Sequence, residues 1–119
     1  MDCIFCKIVN PPAGEKIPTE LVYEDSEIIA FNDVHPVAPI HILIIPKKHI
    51  ETINDLSNED GKLVGKMIIV ARDLAKKLKI SENGYKLLFR TGKDGGQEVS
   101  HIHLHLIGGA KLFEDIRPI

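Results

Sequence analysis

The sequence predicts a single α+β domain in which an antiparallel sheet carries its helices on one face. Short apolar segments rich in β-branched residues alternate with turn signals along most of the chain. One long segment alone, 57–79, has the periodicity of an amphipathic helix. The chain has 119 residues, of which 44% are hydrophobic and 27% charged, a composition that suits one core and not a disordered chain. We therefore expect one domain over residues 1–119.

The first half of the chain predicts a short helix and three strands. The segment CIFCKIVNPP, residues 3–12, is expected to form a helical turn that its two prolines stop. Segments 20–25 (ELVYED) and 27–33 (EIIAFND) flank a polar turn, which indicates a β-hairpin. The β-branched run HILIIP, residues 41–46, is typical of a buried strand that ends at a proline.

The second half predicts the long helix and two further strands. Ser57 is the expected N-cap of the helix, with acidic residues after it and lysines in its last turn. The segments YKLLF (85–89) and HIHLHLI (101–107) are the expected strands, joined by a glycine-rich loop. One apolar stripe of the helix is expected to cover the sheet: Leu63, Met67, Ala71, Leu74 and Leu78.

Charge and hydropathy exclude several classes of partner. Fifteen basic and seventeen acidic residues give a net charge of −2, so no overall basic field favours nucleic acid or an anionic membrane. No apolar run reaches the roughly 20 residues that span a bilayer. The N-terminus MDCIFCK has neither the basic region nor the apolar core of a signal peptide, so we expect a cytoplasmic protein.

The most informative segment is SHIHLHLIGG, residues 100–109. Its histidines, His101, His103 and His105, occupy alternate positions, so on a strand they share one face at intervals of roughly 6.6 Å. Three interpretations compete: a merely exposed polar face, a catalytic zinc site, or nucleophilic catalysis at phosphorus. In the last, one neutral imidazole nitrogen attacks while neighbouring imidazoles donate hydrogen bonds or protons.

The loop before this strand favours an anionic ligand. Glycines at 92, 95 and 96 permit a backbone that turns its amide N–H groups toward an anion. Hairpin loops also use glycine for purely structural reasons. The chain contains neither a Walker-type phosphate loop nor the glycine pattern of dinucleotide-binding folds. The loop therefore indicates an anion-binding site only in combination with the histidines beside it.

Three segments together resemble the histidine triad (HIT) superfamily. GGQEVSHIHLHLIGG, residues 95–109, is similar to its His-x-His-x-His signature. IAFNDVHPVAPIHILIIPKKH, residues 29–49, resembles its nucleotide-pocket segment, with Phe-x-Asp, Pro-x-x-Pro-x-His and Pro-Lys-x-His elements in order. With CIFCKIV at the N-terminus, the likeness spans nearly the whole chain and is closest to the Hint-like nucleoside phosphoramidase branch.

The resemblance implies a fold, an assembly and an activity. The implied fold is a five-stranded antiparallel sheet with one long and one short helix, paired into a homodimer whose sheets join. The implied activity is hydrolysis of nucleoside phosphoramidates at the α-phosphorus through a covalent nucleotidyl-histidine, with a purine nucleotide as substrate or product. Alternatives are a dinucleoside polyphosphate hydrolase of the same superfamily, a nucleotide-binding module with little turnover, and a hydrolase with a catalytic zinc.

The resemblance also implies roles for individual residues. His103 would be the nucleophile, His105 would contact the phosphate, and His101 with His49 would lie behind the nucleophile. Asp33 would accept hydrogen bonds from the ribose hydroxyls. The remaining expected substrate contacts are Phe5, Ile8, Phe31, Asn32 and Val34 around the nucleoside, and Gln97, Glu98 and Val99 around the phosphate.

Two features depart from the family pattern. Arg90 stands where the phosphoramidase branch commonly has an asparagine near the ribose and phosphate, so that contact has no assigned residue. The C-terminal segment KLFEDIRPI is short and lacks the tryptophan-containing tail of some members, which leaves the preferred leaving group open.

Cys3 and Cys6 form a Cys-x-x-Cys pair. In a reducing compartment this spacing indicates half a metal site, two buried free thiols or a redox pair. Some bacterial members of the superfamily bind a structural zinc through such a pair. By that resemblance the ligands here would be Cys3, Cys6, His49 and His101, and His101 would serve structure while His103 stays available for attack.

Overall fold

A five-stranded antiparallel sheet forms the centre of the molecule, as the sequence predicts. The computed structural model describes residues 3–13, 19–114 and 116–119; Asp115 of the C-terminal segment lies outside them. The strands lie in the order β1-β2-β3-β5-β4, and each neighbouring pair is antiparallel. The strands are β1 (Leu21–Glu24), β2 (Ile28–Asn32), β3 (Ile40–Pro46), β4 (Tyr85–Leu88) and β5 (Leu104–Gly108).

The two helices are α1 (Ile4–Val9) and α2 (Gly61–Lys77). Helix α2 begins four residues later than predicted, because two 3-10 turns precede it. Ser57 caps the second of these turns, and its backbone N–H donates to Asp60 Oδ2 at 2.9 Å. Lys48 Nζ lies 2.8 Å from Asp60 Oδ1 and ties this turn to the segment after β3. The N-cap of α2 is therefore Asp60, and the predicted N-cap Ser57 instead caps the 3-10 turn before it.

The helices pack on opposite faces of the sheet, so the expectation of one shared face was wrong. Strands β2 and β3 are buried on both faces, which means that each face needs a cover. Helix α2 covers one face with Met67, Val70, Ala71 and Leu74, whereas Leu78 of the predicted stripe is 37% exposed. Helix α1 covers the other face, where Phe5 joins a smaller cluster: Cys3, Ile29, Phe31, Leu43 and Ile45.

The three histidines lie on the face that α1 covers. The intervening residues Ile102, Leu104 and Leu106 belong to the core under α2. The Phe5 ring contacts His101 and His103, with ring centroids 5.9 and 5.1 Å apart. Strand β5 begins only at Leu104, so the first two histidines lie in the extended segment before it. No helix in the described ranges is long and apolar enough to cross a membrane.

Candidate active site

His103 has one ring nitrogen in a hydrogen bond and the other without one among the described residues. Its Nδ1 lies 2.8 Å from the carbonyl oxygen of His101. A carbonyl can only accept, so Nδ1 carries the proton and Nε2 carries the lone pair. The residue is 7% exposed, and burial lowers its pKa below the ordinary value of 6.5. The ring is therefore a neutral imidazole with a fixed tautomer and an available Nε2 lone pair.

The tautomer of His105 is opposite to that of His103, and a residue on the neighbouring strand fixes it. The backbone N–H of Val37 donates to His41 Nδ1 at 3.2 Å, so the His41 proton resides on Nε2. His41 Nε2 lies 2.9 Å from His105 Nδ1 and donates to it. His105 must then carry its own proton on Nε2. That buried Nε2 has no hydrogen-bond partner among the described residues, which leaves one N–H donor for a ligand.

Burial keeps these imidazoles neutral. It is the largest cause of the lowered pKa of His41, and it lowers the pKa of His105 to about 4. This value also includes the smaller contributions of the neighbouring His103 and His41. His105 therefore stays neutral well below neutral pH.

Asp33 lies at the end of this chain of hydrogen bonds. Its Oδ2 is 3.4 Å from His41 Nε2, and its Oδ1 accepts the backbone N–H of His35 at 2.8 Å. The carboxylate is partly exposed, with a side-chain exposure of 19%. Asp33 therefore orients toward the histidines and still presents an acceptor to a ligand.

The predicted nucleoside contacts are only partly assembled. Phe5 and Phe31 are buried and pack edge to face with centroids 5.6 Å apart, and Ile8 packs against the same cluster. Asn32, the last residue of β2, and Val34, two residues after it, are both exposed. The structure thus gathers the aromatic residues beside His103 but does not bring Asn32 and Val34 into that cluster.

The loop between β4 and β5 is closed by Gln97. The amide nitrogen of its side chain donates to the carbonyls of Glu51 and Val99, and its side-chain oxygen accepts the backbone N–H of Gly92. The backbone N–H of Gln97 donates to the Gly92 carbonyl at 3.0 Å. Gln97 therefore shapes the loop with both its side chain and its amide. The exposed Glu98 and half-buried Val99 follow it toward the histidines.

A second cluster brings together the four predicted metal ligands. Cys3, Cys6, His49 and His101 each place one donor atom within 4.8 Å of the others. His101 Nε2 donates to the Pro46 carbonyl at 2.8 Å, so its Nδ1 lone pair faces Cys3 Sγ at 3.5 Å and Cys6 Sγ at 3.6 Å. His49 Nδ1 lies 3.1 Å from Cys6 Sγ. Two thiols and two imidazole lone pairs that converge in this way could bind a metal ion.

Comparison with known proteins identifies the family. The HIT domain family model matches residues 14–112. The chain belongs to the HIT family. It is 47% identical over 111 residues to a protein from Escherichia coli named purine nucleoside phosphoramidase, covering 93% of this chain and 90% of that protein. It also resembles the crystal structure of a HIT family hydrolase from Legionella pneumophila, with 50% identity, a TM-score of 0.88, and coverage of 96% and 98% of the two chains.

A histidine triad protein from Clostridium difficile gives the same result, with 44% identity, a TM-score of 0.87 and coverage of 94% of each chain. The chain is therefore a hydrolase with the HIT fold. Two residues of this HIT hydrolase were not predicted as parts of the site: His41, which fixes the tautomer of His105, and Arg90, which had no assigned role. His41 lies within the Pro-x-x-Pro-x-His element, and this motif was the available signal.

Proposed function

We propose that this hydrolase cleaves nucleoside phosphoramidates at the α-phosphorus through a nucleotidyl-His103 intermediate. The observation that carries the proposal is the division of roles between two neighbouring imidazoles. His103 has an Nε2 lone pair, and His105 has an Nε2 proton without a partner among the described residues. Their ring centroids are 4.9 Å apart, so one phosphate group could contact both. The name of the Escherichia coli relative supports the substrate class.

The first step transfers the nucleotide to the enzyme. His103 Nε2 forms a bond to the α-phosphorus, and the bond from phosphorus to the leaving nitrogen breaks. The leaving nitrogen takes a proton from solvent and departs as a neutral amine or ammonia. The His105 Nε2–H donates a hydrogen bond to an equatorial phosphate oxygen, where charge develops. The His103 Nδ1–H keeps its hydrogen bond to the His101 carbonyl, and this bond stabilises the positive charge of the substituted ring.

The second step releases the nucleotide. Water attacks phosphorus on the side the amine has left, the bond from phosphorus to His103 Nε2 breaks, and one water proton returns to solvent. The products are a nucleoside monophosphate and the amine. Two displacements of this kind replace one difficult displacement, which is the general advantage of covalent catalysis. Asp33, with its exposed carboxylate oxygen, would accept the ribose hydroxyls.

Adenosine 5′-phosphoramidate tests both the substrate class and the nucleophile. We expect the wild-type protein to release AMP and to show an adenylylated histidine by mass spectrometry after rapid acid quench. His103→Asn should lower turnover by about 10³-fold or more, as loss of a catalytic nucleophile does. The exposed His35 provides the matched control, His35→Asn, which should remain active. Adduct formation in His103→Asn at the wild-type rate would exclude His103 as the nucleophile.

We further propose that Cys3, Cys6, His49 and His101 bind one structural zinc ion. The convergence of four suitable donors supports this ligand set. Burial, followed by the neighbouring Cys3 thiol, raises the pKa of Cys6, so two adjacent thiolates require a compensating cation. Metal analysis of the purified protein should give close to one zinc per chain. A Cys3→Ser/Cys6→Ser variant should contain none and melt at lower temperature, whereas a metal-free wild type would disprove the site.

We also propose a cytoplasmic homodimer. Strand β4 lies at an edge of the sheet, and Ile68 and Ile69 on α2 are 43% and 44% exposed, so both elements offer surface to a second copy. The two free cysteines are consistent with a reducing compartment. Sedimentation equilibrium should give twice the chain mass, and Ile69→Asp should shift it toward the monomer. A monomeric wild type at micromolar concentration would contradict the assembly.

A further inference from the structure

Arg90 lies two residues beyond the end of β4, the strand that neighbours β5. Strand β4 pairs with β5 so that Leu88 lies opposite His105. Continuing this antiparallel register by two residues places Arg90 opposite His103, on the same face of the sheet. The Arg90 side chain also runs along Gly96, where an added Cβ would lie 3.7 Å from both Cδ and Nη1 of the arginine. Arg90 therefore stands between the triad and the glycine-rich loop.

The charge of Arg90 acts on the catalytic histidines and is not neutralised by an acidic partner. It contributes, after burial, to the lowered pKa of His41, His103 and His105. Arg90 forms no ion pair within residues 3–13, 19–114 and 116–119, and it is exposed. Its guanidinium donors are thus available to an anionic ligand.

The site needs such a charge. His105, whose Nε2–H would contact the phosphate, is kept neutral by burial, so it supplies a hydrogen bond but no positive charge. A nucleotide phosphate brings a negative charge, and more charge develops on its equatorial oxygens during transfer. An asparagine at position 90 would supply only a dipole, whereas arginine supplies a charge and a planar set of donors.

We propose that Arg90 is a specificity-determining residue that binds the anionic oxygens of the substrate α-phosphate, so that the site selects ligands by phosphate charge. The proposal rests on the proposed function, because it assumes that a nucleotide occupies the triad. Asp33 and Arg90 then define the two ends of the sugar-phosphate: an acceptor for the ribose hydroxyls and a cation for the phosphate. Asp33 raises the pKa of His41 and of His103, and Arg90 lowers both, as expected for two opposite charges that flank the same ligand.

Equilibrium binding of two ligands that differ only in the phosphate tests the role of Arg90. AMP and adenosine are titrated calorimetrically into the full-length wild type, Arg90→Asn, Arg90→Lys and the control Lys93→Asn, an exposed cation of the same loop. We expect Arg90→Asn to weaken AMP binding by about 10- to 100-fold while adenosine binding changes less than about twofold. Arg90→Lys should recover part of the loss, and Lys93→Asn should resemble the wild type.

Salt and turnover give two further readouts. Raising the salt from about 0.05 M to about 0.3 M should weaken AMP binding to the wild type more than to Arg90→Asn, because screening acts on the charge that the variant lacks. With adenosine 5′-phosphoramidate, kcat/KM should fall in Arg90→Asn in parallel with AMP affinity.

Three outcomes would overturn the role of Arg90: unchanged AMP affinity in Arg90→Asn, equal loss of AMP and adenosine binding, or equal loss in Lys93→Asn. A wild type that binds AMP and hydrolyses the phosphoramidate while showing any of these would refute this role and leave the proposed function standing. A wild type that binds neither ligand would refute both.

Discussion

Replacing His41 should abolish the proton arrangement of the site without touching the nucleophile. His41 is the only described donor to His105 Nδ1, at 2.9 Å, and it is itself fixed by the Val37 N–H. In His41→Phe, nothing holds the His105 proton on Nε2, and the ring gains by moving it to Nδ1 or by turning. The transition state then loses the one N–H that points at it without a partner.

The size of the effect follows from two terms. Loss of one preorganised donor to a developing oxyanion costs about 10²- to 10³-fold in kcat. The variant also leaves His105 Nδ1 buried without a partner, which costs about 1 to 3 kcal/mol of folding free energy. KM should change less than kcat, because the His41 ring is hydrogen-bonded to His105 and lies near the nucleoside site only through Asp33, at 3.4 Å. His41→Gln, whose side-chain amide can donate at a similar reach, should recover part of kcat.

The assay is steady-state hydrolysis of adenosine 5′-phosphoramidate, with urea unfolding and nitrogen-15 NMR of the imidazoles. The NMR spectrum should show the Nε2–H tautomer for His105 in the wild type and a mixture in His41→Phe. His35→Asn, on the exposed loop before β3, is the matched control and should leave all three measurements unchanged. A His41→Phe variant with wild-type kcat and an unaltered His105 tautomer would refute the reasoning.

Three further predictions concern pH, the loop and the helix. Because His105 has a pKa of about 4 when folded and about 6.5 when unfolded, its contribution to stability is complete above pH 6.5 and is lost as pH falls toward 4. The loss of unfolding free energy between pH 7 and pH 4.5 should therefore be about 2 to 3 kcal/mol smaller in His105→Gln than in the wild type, because the lowered pKa values of His41 and His103 contribute in both proteins; equal losses would disprove it. Gly95→Ala should lower kcat/KM by about 10²-fold, since its Cβ would overlap the Thr91 carbonyl oxygen and displace the loop, and unchanged kinetics would count against a fixed loop. Gly65→Ala, in the middle of α2 with no atom within 4 Å, should instead raise the unfolding free energy by about 0.5 to 1 kcal/mol and leave kcat/KM unchanged; a destabilised variant would contradict it.

The strands were predictable because their patterns are local. Alternation in HIHLHLI correctly placed Ile102, Leu104 and Leu106 in the core and the histidines on the other face. The start of α2 was less predictable, because Ser57 and Asp60 satisfy each other's backbone groups as well in a 3-10 turn as in a helix. The sequence pattern predicts the capping interaction, but it does not predict whether a 3-10 turn or an α-helix follows the cap.

The pairwise contacts of the site were less accessible from sequence. The roles of His41 and Arg90 depend on strand register, since each lies beside β5 only because of its pairing with β3 or β4. Periodicity along one strand says which face a residue occupies, but it does not say which residue of another strand lies opposite. The second covered face, in contrast, is accessible from local sequence, because β2 and β3 are almost continuously apolar and this pattern indicates burial on both faces.

The histidines of the triad differ in which ring nitrogen is available and in whether that nitrogen carries a proton. His101 donates a hydrogen bond from Nε2 to the Pro46 carbonyl and turns Nδ1 toward the cysteines, whereas His103 donates from Nδ1 to the His101 carbonyl and leaves the Nε2 lone pair available for the proposed attack. His101 thus serves both clusters, with its ring in one and its carbonyl in the other. A displacement of that ring moves the acceptor that fixes the His103 tautomer. The cysteine cluster is therefore mechanically coupled to His103 by two routes: the backbone before β5, and the Phe5 ring that contacts both His101 and His103.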